Sequence, residues 1–239
     1  MIQTKGLVKR FNGQLILDHI DLEIKDGEIL VILGESGAGK SVLLKHLIGL
    51  LKPDQGSVMI DQVDISLMSE EELLGLRKQM GYLFQDGALY DFMSVYDNVA
   101  FPLREHTDLT EDAIEKKVKD ILKSIDLDGI EEKLPSELSG GMRKRVSLAR
   151  AIIMDSKVLF CDEPTSGLDP IRSRDISDLI KRVSAKLKCT TIVTSHDIPN
   201  SFRIADRLAV MRDGRIVIIG TREEILKSQN EFIKEFVNP

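Results

Sequence analysis

The chemistry in this chain is concentrated in the stretch LGESGAGKS at 33–41, where Gly34, Gly39, Lys40 and Ser41 stand at the G-x-x-x-x-G-K-[ST] spacing. The stretch follows an apolar run, ILVIL, and leads directly into KSVLLKHLIGLL, so it joins a strand to a helix. Glycines let the backbone bend until successive amides face inward, and the helix start adds its positive end, which together form an anion cradle. Gly34, Glu35, Ser36, Gly37, Ala38, Gly39, Lys40, Ser41 and Val42 are therefore the candidate nucleotide-binding set. Lys40 is expected to reach the β and γ phosphates, and the Ser41 hydroxyl to join a magnesium shell.

A second acidic element suits the same ligand. KVLFCDEP reads as an apolar strand ending in Asp162 and Glu163, and strand ends at the carboxyl edge of a parallel sheet face the crevice where ligands bind. Asp162 fits a magnesium role through water, because small hard Mg²⁺ takes few protein carboxylates and keeps its waters. Glu163 fits a general base that orients an attacking water. His196 follows another apolar strand, TTIV, within reach of a γ-phosphate and that water, whereas His19, His46 and His106 read as structural or exposed.

A second glycine-rich lead-in, SELSGGMRKR at 136–145, precedes a helical run. Ser139 can donate a hydroxyl, Gly140 and Gly141 expose amides, and the helix from Met142 onward aims its positive end at whatever lies before it. Taken alone, the stretch reads sooner as a capped helix, and its basic triplet at 143–145 reads as a solvated face.

These groups need a scaffold. Residues 2–32 read as short strands and turns of a β-rich lobe feeding a central strand. KSVLLKHLIGLL reads as about three turns of buried helix, stopped by the proline of KPDQG. From 69 to 134 the text is mainly helical, with SEEELLGLRKQM behind a Ser69 cap and TEDAIEKKVKDILKSIDL behind a Thr110 cap. From 157 strands and helices alternate, as in a parallel sheet with crossover helices. The end of the chain reads as one or two short helices with Phe232, Ile233 and Phe236 in an apolar stripe.

With LSGGM, DEPTSGLDP and TSHD following the loop in this order, the chain resembles the ATPase subunit of ABC transporters over nearly all its length. The resemblance implies an α/β fold, a P-loop NTPase of ABC type. That fold has a RecA-like, mostly parallel sheet core, an N-terminal antiparallel β lobe and a helical subdomain. It implies one domain over 1–239: lobe and core at 1–84 and 157–220, helical subdomain at 85–156, and a short helical segment at 221–239. ATP and Mg²⁺ are the implied cofactors. Residues 138–142 become the family signature and 166–169 the D-loop, with Asp169 in the nucleotide set. Gln85 in LFQD becomes the Q-loop glutamine, with catalytic and metal roles, His196 the switch histidine, and Phe11 in VKRFNG the ring that stacks on adenine.

In that family two subunits sandwich two ATP molecules head to tail, and each signature meets the γ-phosphate held by the other subunit. Met142 departs from the commoner glutamine, and a thioether is only a weak acceptor. GALYDFMSVYDNVAFPLREHTDL and LSGGMRKRVSLARAI are most similar to the ATPase of Mla-type, MCE-associated lipid transporters, the MlaF subfamily. The partners implied are a second copy, a transmembrane permease (MlaE-like), an MCE-domain protein and a small STAS-type accessory subunit, at the cytoplasmic face of the inner membrane. A permease helix would enter a groove beside the Q-loop, lined by Leu89, Tyr90, Phe92 and Met93. Another cargo, such as an amino acid, a lipoprotein or a drug, fits the same ATP chemistry.

Composition narrows the remainder. With 33 basic against 39 acidic residues the net charge is −6, so no global positive field draws nucleic acid, and a DNA- or ribosome-directed ATPase is disfavoured. No apolar run reaches the roughly 18 residues that cross a bilayer. Cys161 and Cys189 lack metal-ligand spacing and read as buried thiols of a reducing compartment.

Overall fold

Residues 1–237 are described by the computed structural model, and Asn238 and Pro239, the last two positions of the C-terminal segment, lie outside the described residues. In chain order the elements begin with strands β1 (Ile2–Phe11), β2 (Gln14–Ile24) and β3 (Ile29–Gly34), helix α1 (Lys40–Leu47), strands β4 (Gln55–Ile60) and β5 (Val63–Asp64), helix α2 (Glu70–Arg77) and strand β6 (Met80–Leu83). Helices α3 (Val95–His106), α4 (Glu111–Ser124) and α5 (Gly140–Ile152) follow, then β7 (Val158–Asp162), α6 (Pro170–Leu187), β8 (Thr190–Ser195) and α7 (Ile198–Ile204). The chain closes with β9 (Arg207–Arg212), β10 (Arg215–Gly220), α8 (Arg222–Leu226) and α9 (Glu231–Val237).

Two sheets result. The N-terminal lobe is antiparallel, in the order β2-β1-β4-β5, and the central sheet runs β10-β9-β3-β8-β7-β6. Every central pairing is parallel except β9 with β10, a hairpin that closes at Asp213 and Gly214. β3 is buried on both faces, which its continuous ILVIL demands: Val31 and Leu33 enter one core with α3 to α6, while Leu30 and Ile32 enter another with α1 and the lobe. The fold thus matches the expected α/β architecture.

Several expectations need correction. β1 and β2 are long strands of 10 and 11 residues, and β4 and β5, unassigned in the sequence reading, complete their sheet. α1 spans 8 residues rather than three turns and ends at Leu47, just before Gly49, not at the proline. At φ 73° Gly49 turns the chain so that the Leu50 and Leu51 amides both donate to the Lys45 carbonyl, a close possible at no steric cost only without a Cβ. The 69–134 block is not one helical insertion either: β6 belongs to the central sheet, and Leu73 of α2 packs into the core shared with the lobe.

The two caps hold. Ser69 accepts from the Glu72 amide while Glu72 accepts from Ser69, and Thr110 accepts from Ala113. In the C-terminal segment Ile233 is fully buried and Phe232 and Phe236 pack against the main core, with the Arg212 guanidinium 4.3 Å from the Phe232 ring centre. Cys161 and Cys189 are buried free thiols, and burial pushes the Cys161 thiol up. Among the described residues, no helix is long and apolar enough to cross a membrane.

Candidate active site

In the central sheet β8 lies between β3 and β7. The glycine loop leaves β3, the acidic pair ends β7, and His196 follows β8, so lateral strand order brings three separate stretches of sequence to one edge. The loop is tightly seated. A Cβ on Gly34 would come 2.5 Å from the Met211 carbonyl oxygen, and one on Gly39, which stands at φ +99°, 3.0 Å from that of Ile16.

Lys40 is buried and turned back on its own loop. Its Nζ donates to the carbonyls of Gly34 (2.8 Å) and Glu35 (3.0 Å) and lies 3.1 Å from Glu163 Oε1. Phosphate oxygens are acceptors of the same kind but charged, so they can take over these carbonyl contacts at a gain. Ser41 donates to Asp162 Oδ1 at 2.8 Å, and Thr194 of β8 donates to the same oxygen at 2.7 Å. Thr194 Oγ1 also accepts the Glu163 amide at 3.0 Å, which ties the two acidic residues to one hydroxyl. Tyr82 donates to Asp162 Oδ2 at 3.2 Å, and burial, with the carboxylate beside it, raises the phenol's pKa.

Glu163 stands at φ +47°, an uncommon conformation for a residue with a Cβ and a recurrent mark of functional sites. Its carboxylate lies between the Lys40 ammonium and the His196 imidazole. Oε1 faces Lys40, and Oε2 lies 2.5 Å from His196 Nδ1. The imidazole is otherwise largely exposed.

Glu35, Ser36, Gly37, Gly39, Lys40, Ser41, Val42, Gln85, Glu163 and His196 all line one cleft of about 720 Å³. Gly34 and the buried Ala38 form the body of the loop behind that wall. Gln85 donates from Nε2 to Ser166 at 3.5 Å and is not hydrogen-bonded to Ser41 or Asp162. For a cation, Ser41 and Asp162 offer hard oxygens in contact, which suits Mg²⁺. Among the described residues no three acidic, His or Cys side chains gather around one point, so the rest of such an ion's shell would come from phosphate and water.

The remaining expected residues are elsewhere in the chain. Phe11 is exposed, 5.4 Å from the Lys9 ammonium, and Ile16, which the sequence reading passed over, lines the cleft in its place. Asp169 caps α6 through the amides of Ile171 and Arg172. Ser139 caps α5 by accepting from Met142, and Ser139, Gly141 and Met142 line a separate depression of about 500 Å³ beside Arg145 and Arg172, with Gly140 starting the same helix.

The basic triplet is a solvated face only in part, since Arg143 is exposed and Arg145 half-buried. Arg143 and Arg145 donate to the Leu138 and Ile125 carbonyls, and Lys144 is buried, donating to the Gln85 carbonyl. Burial pulls the Lys144 pKa down against the opposing pull of Asp86, Asp162 and Glu163. Thr194 and Tyr82 have no role assigned from the sequence, and Lys144 is read there only as part of a solvated triplet. For Thr194 the one available signal was a hydroxyl directly after the apolar end of TTIV, at the start of TSHD.

Beside β6 runs a second concavity, a groove of about 910 Å³ whose walls include Leu74, Met80, Tyr82, Phe84, Tyr90 and Phe101. Of the four residues expected to line such a groove, Tyr90 does. Leu89 packs against the core instead, and Phe92, 79% exposed, projects to solvent. Met93 is not among the lining residues either. The local chain is shaped by the buried Asn98, which accepts from the Tyr90 amide and donates to the carbonyls of Tyr90, Met93 and Ser94.

A glycine loop at a helix start, facing a carboxylate pair across one strand of a mostly parallel sheet, defines a P-loop nucleotide-binding protein. A family model described as "ABC transporter" matches residues 17–166. The chain belongs to the ABC transporter family, as its ATP-binding, ATP-hydrolysing subunit.

Two curated relatives and one solved structure illustrate the kinship. The probable ribonucleotide transport ATP-binding protein mkl of Mycobacterium leprae is 44% identical over 99% of this chain, which spans about two thirds (68%) of that relative's length. The intermembrane phospholipid transport system ATP-binding protein MlaF of Haemophilus influenzae is 43% identical over 99% of this chain and 90% of its own. The ATP-binding cassette MJ0796, solved as a dimer in a post-hydrolysis state bound to ADP and Pi, superposes with a TM-score of 0.84 at 29% identity, covering 92% of this chain and 98% of that one.

Proposed function

We propose that this chain powers phospholipid transport at the cytoplasmic face of the inner membrane by closing as a homodimer on two ATP–Mg²⁺ pairs and opening after hydrolysis. In this reading Lys40 and the loop amides hold the β and γ phosphates, and Ser41 and Asp162 hold the cation, with Gln85 approaching on closure. Glu163 orients and deprotonates the attacking water. His196, already on Glu163, steadies that carboxylate and reaches the γ-phosphate. Phe11 stacks on adenine, and Asp169 meets the nucleotide.

The observation that carries the proposal is the division of the site within one chain. The cleft holds the loop, the base and the histidine, while Ser139, Gly141 and Met142 line a different depression. A Cβ at Gly140 or Gly141 would meet nothing closer than 3.5 Å, so packing within the chain gives no reason for bare backbone there. A phosphate brought by a second copy gives one, since it needs close approach to the amides at the start of α5.

Mixing two inactive variants tests this. If the signature acts in trans, dimers pairing a Lys40→Ala chain with a Ser139→Ala chain contain one intact site, although each variant alone has none, so ATPase activity returns on mixing. If the signature acts in cis, mixing restores nothing.

The lipid cargo is supported by the likeness to MlaF over nearly the whole chain. The groove beside β6 supplies an apolar, aromatic-rich seat for an amphipathic permease helix. Isolating membrane complexes with this subunit and identifying the co-purifying proteins and lipids checks the assignment. An MlaE-like permease with an MCE-domain protein, a STAS-type subunit and phospholipid is expected, and a permease without an MCE-domain protein would redirect the cargo.

A further inference from the structure

We propose that Tyr82 is a positioning residue for Asp162, and that its ring connects the groove beside β6 to the cation side of the nucleotide cleft. Three observations lead there. First, the two oxygens of Asp162 are held unequally: Oδ1 accepts from Ser41 and Thr194, whereas Oδ2 accepts from Tyr82 alone, at 3.2 Å. That bond is the longest of the three, so it has the most room to tighten, and it sets the rotation of the carboxylate about its own axis.

Second, the register makes the contact a property of the sheet. Tyr82 pairs with Phe160, and Asp162 lies two residues beyond Phe160 on β7, so all three side chains leave the same face. The Tyr82 ring is stacked on Phe160 with centroids 6.3 Å apart and sits 4.4 Å from Phe84, which leaves the hydroxyl little choice of direction.

Third, β6 is the edge strand of the central sheet, and Tyr82 and Phe84 both line the groove. An object pressed into the groove therefore meets the ring whose hydroxyl holds Oδ2. This link gains its biological meaning from the docking role proposed for the groove, but the Tyr82–Asp162 contact stands without it.

The test uses the full chain loaded with a non-hydrolysable ATP analogue and Mn²⁺ as the probe, titrated by electron paramagnetic resonance. Tyr82→Phe keeps the ring packing and removes the hydroxyl. It is expected to weaken Mn²⁺ binding about tenfold, as loss of a hydrogen bond to a metal-binding carboxylate does elsewhere. Affinity for the analogue in EDTA should stay at the wild-type value, and unfolding should remain cooperative at a modestly lower thermal midpoint. Unchanged Mn²⁺ affinity, or an equal fall in metal-free nucleotide affinity, would overturn the positioning role.

For the link, Leu74→Cys places a thiol on the groove wall, where Leu74 is exposed, and both native cysteines are buried. Capping that thiol with a bulky maleimide should shift Mn²⁺ affinity at least twofold, and the shift should vanish in the Leu74→Cys, Tyr82→Phe double variant. No shift, or one that persists without the hydroxyl, would overturn the link. Because no permease enters either titration, failure of the docking reading leaves both results interpretable.

Discussion

The nucleotide cleft and the groove beside β6 lie close together and are built on opposite principles. At the cleft the groups that would do chemistry engage one another: Lys40 with two carbonyls and Glu163, Glu163 with His196, Asp162 with three hydroxyls. The groove is the larger of the two, and its walls are mainly aromatic and aliphatic side chains held by packing. A charged network fixes direction, because each bond has a preferred angle and an unmatched partner is costly in a partly buried site. An apolar wall fixes only shape, which suits the docking role proposed for this groove. Substitutions in the cleft should therefore show large effects in the isolated subunit, and those in the groove small ones until the partner is present.

The most severe test of that contrast is Glu163→Gln. It should retain ATP binding and lower the steady-state ATPase rate by about 10² to 10⁴, the usual worth of a general base. Near-normal turnover would remove Glu163 from that role. Lys40→Ala should weaken ATP binding itself, about 10- to 100-fold, for loss of bonds worth roughly 1.5–3 kcal/mol each to a charged phosphate. A nucleotide titration reads this directly, and unchanged affinity would break the assignment of the loop.

Thr194→Val probes the network rather than the chemistry. It removes the hydroxyl shared by Asp162 and the Glu163 amide, so stability should fall by about 1–3 kcal/mol, read as a lower urea midpoint at unchanged slope. On the groove side Leu74→Ser should alter stability by no more than about 0.5 kcal/mol, since Leu74 is exposed. The same variant should reduce capture of the permease from membranes. A stability loss as large as that of Thr194→Val would mean that the groove wall is part of the core.

The two regions also differ in how far they could be read from the amino acids alone. Gly34, Gly39, Lys40 and Ser41 act through consecutive backbone and one helix start, so their spacing carries nearly all the information. The caps at Ser69, Thr110 and Ser139 are equally local, each closing within three residues. Asp162 and Glu163 were visible because a strand end is announced by the residues just before it. The groove had no such signature: of four candidate lining residues only Tyr90 is in its wall, and Leu74, Met80 and Tyr82, from a helix and a strand upstream, are there as well.

Sequence by itself determined the elements and the reagents: a glycine cradle, a lysine, two carboxylates and a helix start rich in bare amides. Tertiary structure alone decided which of them meet. His196 reaches Glu163 because β8 and β7 are neighbours, and Tyr82 reaches Asp162 because β6 joins the sheet beyond β7 in a register that no residue of β6 announces. The physical reason is that spacing along a chain governs contacts a few residues apart, whereas lateral strand order and register are settled by burial of whole faces, a sum over the entire core.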